Sequence, residues 1–267
     1  GIDLSVGAIY ALAGVVMAMV LRALGPMDPV LTVLVGLATC LAVSLGCGLA
    51  NGLMVIGLGV HPFIITLGTM WILRGVAFVS SRAESILIPQ ALTNVAKAPL
   101  GLGTALYPVP LLSMLAITIV GGVYLSRTVW GRHIFAIGGN AEASRYSGLS
   151  VPRITLGVFV ISGLLAGVAA FLGAAFYGSA TSSDANGYEL YVIASAVVGG
   201  ASLTGGKGSA ISAMLGALLI VMMRQGIRTL RLDQNYEWII IGTALIVAVV
   251  LDQRGFKRVS ERFAITR

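Results

Sequence analysis

The chain has 267 residues, 57% of them hydrophobic and only 10% charged, with a mean hydropathy of +0.97 and a formal net charge of +7. Soluble domains carry roughly 25% charged residues, so a water-soluble globule is excluded. The basic residues stand at the ends of apolar runs rather than in one patch, which fits the loop bias of membrane proteins and makes no nucleic-acid surface. Crossing the hydrocarbon core of a bilayer takes about 20 helical residues. Backbone polar groups there must be satisfied within helices or a closed barrel. The apolar runs are long and lack period-2 alternation, so the predicted fold class is all-α: one polytopic transmembrane domain, 1–267, embedded in the lipid bilayer. In chain order the predicted spans are about 5–24, 31–56, 62–80, 108–125, 154–177, 188–204, 209–224 and 237–251, eight in all. The second and third are separated by the break Gly57-Leu-Gly-Val-His-Pro62.

Orientation follows from two basic segments. The island 126–153, SRTVWGRHIFAIGGNAEASRYSGLSVPR, sets Arg127, Arg132, Arg145 and Arg153 against Glu142, a net of +3. The tail 252–267 also nets +3. Both are predicted to be cytoplasmic, which leaves Gly178–Tyr188 and Ser81–Tyr107 outside and Gly1 near the cytoplasmic side. Arg224, Arg228 and Arg231 then fall in an outer loop, where Asp233 and Glu237 reduce the net charge to +1. Within the island, Gly138-Gly139-Asn140 is a turn and cap signal. A short helix is expected next, with Asn140 as N-cap, Glu142 in the first turn and Gly148 at its end. The segment reads either as a solvated linker or as a surface helix presented to a soluble partner.

Several polar and small residues lie inside apolar runs. Gly46, Gly48 and Gly52, and Gly163 and Gly167, put small faces on two spans, as close helix packing in lipid requires. Gly199-Gly200 and Gly205-Gly206, followed by Lys207, predict a broken or half-length helix. Arg74 lies within the span 62–80, where a centred arginine costs about 2.5–3.5 kcal/mol on insertion scales; it either snorkels or pairs with an acid, Asp3 or Glu189. Asn51, Thr66, Thr69, Ser195, Ser202 and Thr204 offer amide and hydroxyl groups, for a pathway or for helix packing. GASLTGGKGS fails the phosphate-loop pattern, because Ala201 and Gly208 replace its first glycine and its Ser/Thr. Cys40, Cys47, His61 and His133 lack metal-ligand spacing, and no catalytic pair is visible, so the chain is not read as an enzyme.

Four motifs stand in order: GIDLSVG at 1–7, HPFIITLGTMWILRG at 61–75, GRHIFAIGGNAEASRYSGLSV at 131–151 and GYELYVIASAVVGGASLTGGKGS at 187–209. Together they resemble the membrane permease of bacterial ABC importers for monosaccharides, of the ribose, galactose and xylose type. The resemblance implies a multi-pass protein of the bacterial cytoplasmic (inner) membrane, with about ten spans, of which about two precede GIDLS. It implies a coupling loop at 126–153 that engages a separate ABC ATPase subunit through Gly139, Asn140, Glu142, Ala143, Arg145 and Gly148. ATP and Mg would be bound by that partner, with no cofactor in this chain. The other implied partners are a second permease, as homodimer or heterodimer, and a periplasmic sugar-binding protein, met by Arg82, Lys97 and Arg228. Asp3, Asn51, Thr66, Thr69, Arg74, Glu189 and Ser202 are the candidate pathway residues. Tyr191 departs from the pattern, since many relatives carry an acid there. A permease for branched-chain amino acids or nucleosides would share the architecture. An ion-coupled symporter is the rival of a different class, and it would need no docking helix.

Overall fold

Proline and an acceptor side chain open two of the long helices. The Asp28 carboxylate accepts from the amides of Val30 (2.9 Å) and Leu31 (3.4 Å) ahead of α2 (Pro29–Leu58). His61 Nδ1 accepts from the Phe63 amide at 3.3 Å ahead of α3 (Pro62–Ser81). Proline suits the first turn because the amide it lacks would be unpaired there anyway. Gly59, at φ +64°, closes α2, so the break falls where the sequence places it. This computed structural model describes residues 1–99, 107–233, 235–240, 242–243, 246–247 and 250. The remaining elements are α1 (Val6–Leu24), β1 (Ile86–Leu87), α4 (Gln90–Ala96), α5 (Pro108–Arg127), α6 (Val129–Gly139), α7 (Ala141–Tyr146), α8 (Val151–Tyr177), β2 (Ser179–Ala180), α9 (Tyr188–Val198) and α10 (Ala210–Thr229).

Six helices among the described residues, α1, α2, α3, α5, α8 and α10, are long and apolar enough to cross a membrane. The expected span 188–204 is corrected. Helix α9 has 11 residues, about 16 Å at 1.5 Å per residue, half of a hydrocarbon core. Gly200 ends it at φ +96°, as the glycine pairs foretold. Helix α10 runs to Thr229, so Arg224 and Arg228 belong to a helix and not to an outer loop. Six of the fifteen residues of the span expected at 237–251, and the whole tail 252–267, lie outside the described residues.

The chain forms two compact units. The first comprises Gly1–Ile117 and Pro152–Glu189. Helix α1 is its axis: Ala8, Ile9, Ala13, Val15, Met17 and Ala18 are fully buried. Alanine at half of these positions lets the neighbouring helices close in. Where α2 meets α8 the backbones touch: a Cβ on Gly48 would stand 2.6 Å from the Phe159 carbonyl oxygen, and one on Gly163 2.5 Å from that of Ser44. Lipid is as apolar as leucine, so such helices are held by close van der Waals packing rather than by exclusion from water. Helix α4 closes one end of this core with fully buried Leu92, which packs with Met17 and Phe171 around Gly36. Strands β1 and β2 pair antiparallel beside it, Ile86 opposite Ala180 and Leu87 opposite Ser179.

The second unit comprises Thr118–Val151 and Leu190–Arg267. The chain turns sharply from α5 into α6 at Thr128, whose hydroxyl accepts from the Gly131 amide at 3.0 Å. Gly131 lies against the Leu125 and Tyr124 carbonyls, with no room for a side chain. Helices α9 and α10 approach through Gly199, set against Ser212, and Gly216, set against Ser195.

Gly163→Ala should lower stability by about 1–3 kcal/mol, the range for overpacking. Gly46→Ala, with nothing within 4 Å of its Cβ position, should change it by less than about 0.5 kcal/mol. Thermal unfolding of the detergent-solubilised protein reads both.

Candidate functional site

The first unit contains two buried polar groups of residues. In one, the Asp3 carboxylate accepts from the Ser5 amide (3.0 Å), the Ser5 hydroxyl (2.6 Å) and the Ser162 hydroxyl (2.8 Å). Asn51 Nδ2 donates to the Ser5 hydroxyl at 2.8 Å. The Thr66 hydroxyl lies 3.0 Å from the Pro62 carbonyl and 3.3 Å from that of Ile2, which ties α3 to the start of the chain. A charge withdrawn from water is tolerable only when paired or hydrogen-bonded; Ser5 and, from α8, Ser162 bind the half-buried Asp3 carboxylate directly, and Asn51 of α2 holds Ser5 in place. Asp3, Asn51 and Thr66 thus come together as candidate pathway residues. Ser5 and Ser162 join them, although a lone serine in an apolar run gave the sequence reading no signal. Thr69, one turn on, returns its hydroxyl to the Thr66 carbonyl at 3.2 Å.

The second group is built on a segment expected to lie outside. Residues 178–187 fold back along α1: Ala180 lies against Gly14 and Ala185 against Gly7, about 10 Å along the helix axis. The segment is not helical. Gly178 and Gly187 take φ +79° and +80°, and Ala185 takes +52°. Asp184 caps the turn, accepting from the Thr181 amide (2.9 Å) and hydroxyl (2.7 Å). Arg74 satisfies the carbonyls left over, donating to those of Ser182 (2.9 Å), Asp184 (2.7 Å) and Ala185 (3.4 Å). The expectation that Arg74 snorkels or pairs directly with an acid is therefore corrected. It is 7% exposed and bound to backbone; Asp3 belongs to the other group, and Glu189 stands close by. A Cβ on Gly7 would be 2.5 Å from Glu189 Oε2 and 2.6 Å from the Ala185 carbonyl oxygen. Glu189 Oε2 is buried and has no hydrogen-bond partner among the described residues.

In the second unit the island folds into two helices, α6 and the short helix expected after Asn140, α7. Gly138 and Gly139 form the last turn of α6, not a turn between elements, and Asn140 alone makes the corner. Asn140 serves both helices. Its amide donates to the Ala136 carbonyl at 3.0 Å, and its side-chain oxygen accepts from the Ala143 amide at 2.9 Å. Helix α7 ends in a Schellman motif: the Leu149 amide donates to the Ser144 carbonyl and the Gly148 amide to that of Arg145, both at 3.0 Å, with Gly148 at φ +83°. Glu142, Ala143 and Arg145 are exposed, while Ser144 is buried. Ser202 does not join the pathway candidates of the first unit. It sits in the loop 199–209 of the second, its hydroxyl 2.9 Å from that of Thr204.

Long apolar helices and a short capped helix with exposed polar residues fit a multi-pass membrane protein. The family described as "Branched-chain amino acid transport system / permease component" matches residues 1–249. The chain belongs to that permease family. It is 38% identical to the D-allose transport system permease protein of Escherichia coli K12 over 95% of this chain and 75% of that one. It is 34% identical to the ribose import permease protein of the same organism, over 95% and 78%, and 31% identical to the fructose import permease protein of Rhizobium meliloti, over 95% and 70%. No solved structure matches it.

The permease also holds a cluster that the sequence reading missed. The Tyr191 hydroxyl donates to Glu237 Oε1 at 2.7 Å, Arg224 pairs with the same carboxylate, and the guanidinium lies 4.7 Å from the Tyr191 ring centre. The only sequence signal was Tyr191 itself, a tyrosine where an acid was expected; Glu237 supplies the acid from another element.

Two outcomes follow for the permease. Arg74→Met leaves the Ser182 and Asp184 carbonyls without their donor, at about 1–3 kcal/mol each, so folded yield in detergent should fall sharply, and Arg74→Lys should recover part of it. A cysteine at Tyr146, 83% exposed, should react with a membrane-impermeant maleimide in inside-out vesicles and not in intact cells.

Proposed function

We propose that this permease is the membrane subunit of an ABC importer in the bacterial cytoplasmic membrane and carries a monosaccharide inward by alternating access. The observation that carries the reading is the run of relatives named for allose, ribose and fructose, 31–38% identical over 95% of this chain. In this reading a separate ATPase subunit binds ATP and Mg and hydrolyses the nucleotide, and this chain has no catalytic role of its own. A periplasmic sugar-binding protein delivers the substrate, and two permease chains, identical or different, make the conduit. The capped helix α7 is the coupling element, with Gly139, Asn140, Glu142, Ala143, Arg145 and Gly148 as the docking segment. Its six residues are too few to be stable alone. The Asn140 cap and the Gly148 motif hold it in shape, so that a partner meets a rigid body.

Asp3, Asn51, Thr66, Thr69, Arg74 and Glu189 are the proposed pathway and gating groups of the first unit, and Ser202 is assigned to the coupling side. Glu189 Oε2 is the group in this set free to take a new hydrogen bond, which suits a hydroxyl-rich cargo. A branched-chain amino acid is the second reading, favoured by the description of the matching family.

The test is uptake in proteoliposomes holding the permease with the ATPase and binding protein encoded beside it. Labelled D-allose, D-ribose and D-fructose are offered against leucine. One of the sugars should accumulate with ATP, and leucine accumulation alone would replace the sugar reading. Glu142→Arg should abolish co-purification of the ATPase together with uptake. Uptake that persists without an ATPase would mark a symporter.

A further inference from the structure

We propose that Gly138, Gly205 and Gly206 form a backbone-to-backbone joint that transmits movement of the coupling segment to the loop 199–209, and through it to α9 and α10. The proposal rests on the coupling reading of α7 and adds the positioning residues through which that helix acts.

Two glycine motifs far apart in sequence meet here, and each excludes a side chain on the other. A Cβ on Gly138 would stand 2.5 Å from the Gly206 amide nitrogen, and one on Gly205 2.6 Å from the Gly138 carbonyl oxygen. One on Gly206 would stand 2.8 Å from the Gly139 Cα. Gly205 and Gly206 also need their left-handed conformations, φ +98° and +76°, which glycine adopts without strain. Gly139 is the internal contrast, since its own Cβ position has nothing within 4 Å.

Rigidity continues on both sides of the contact. Gly138 is two residues from Asn140, the shared cap of α6 and α7. The loop 199–209 is closed on itself by the Ser202 amide donating to the Lys207 carbonyl and the Gly205 amide donating to that of Ser202, both at 3.1 Å. At one end the Ala201 amide donates to the Ala196 carbonyl of α9 at 2.9 Å. At the other end Ser209 caps α10, accepting from the Ser212 amide at 3.1 Å. A contact between side chains would absorb a displacement by rotamer change. Backbone against backbone has no such slack, so moving α7 must move the loop. The joint also gives a role to GGASLTGGKG, which fails as a phosphate loop.

The test compares hydrogen–deuterium exchange of the full permease–ATPase complex with and without Mg-ATP. In the wild type, exchange in α7 and in residues 205–209 should change at the same ATP concentration. In Gly138→Ala the α7 response should remain while that of 205–209 is lost, and ATP-driven sugar uptake should fall about tenfold, within the range of coupling free energies. Gly122→Ala, in α5 with nothing within 4 Å of its Cβ position, should behave as wild type in both. The proposal is overturned if 205–209 still responds in Gly138→Ala, or if the two wild-type segments respond at different ATP concentrations. An α7 that ignores ATP in the wild type sinks the coupling reading itself, and the joint with it. Should Gly138→Ala fail to assemble with the ATPase, Gly206→Ala takes its place, and the wild-type comparison still decides.

Discussion

A guanidinium inside an apolar helix and a non-helical backbone folded back along another are each forbidden alone in hydrocarbon; in this permease each makes the other possible. Arg74 brings five N–H donors in a fixed plane, and the carbonyls of Ser182, Asp184 and Ala185 lie within their reach. Lysine, with a point charge and three donors, could not span the same carbonyls. The half-length helix α9 follows from this contact. It begins at Tyr188 only because the ten residues before it lie back along α1 instead of ending at the surface. Glu189, close to this charge, carries an oxygen without a hydrogen-bond partner among the described residues.

Glycine does the complementary work. Where no water drives helices together, attraction comes from atoms in close contact, and a missing side chain is what permits it. Gly48 and Gly163 do this between two long helices, and Gly199 and Gly216 between α9 and α10. Gly138 and Gly206 repeat the device at an irregular corner, where a stiff contact has mechanical value as well as stability.

These arrangements suit a machine that changes state. Coupling demands that a partner bind one conformation better than another, and that its movement reach the conduit without being lost on the way. In the proposed importer, a short helix held at both ends, a two-residue lead to a backbone contact, and a self-bonded loop capping α10 serve that demand.

Composition and run length were enough to establish an all-α membrane protein, because hydrocarbon admits few backbone solutions and long apolar runs choose among them. The Asn140 cap, the break at 57–62 and the glycine stop at 148 were legible too, since capping is local chemistry within a few residues. The ordered motifs pointed to a permease before any geometry was known. What the tertiary structure alone decided are the meetings of distant segments: Arg74 with backbone carbonyls rather than an acid, Ser5 and Ser162 on Asp3, Tyr191 and Arg224 on Glu237, and Gly138 on Gly206. A carbonyl has no letter of its own in a sequence, and a glycine chosen for what it lacks looks the same wherever its neighbour lies. Such contacts become readable only when the chain has folded and brought them within a few ångströms.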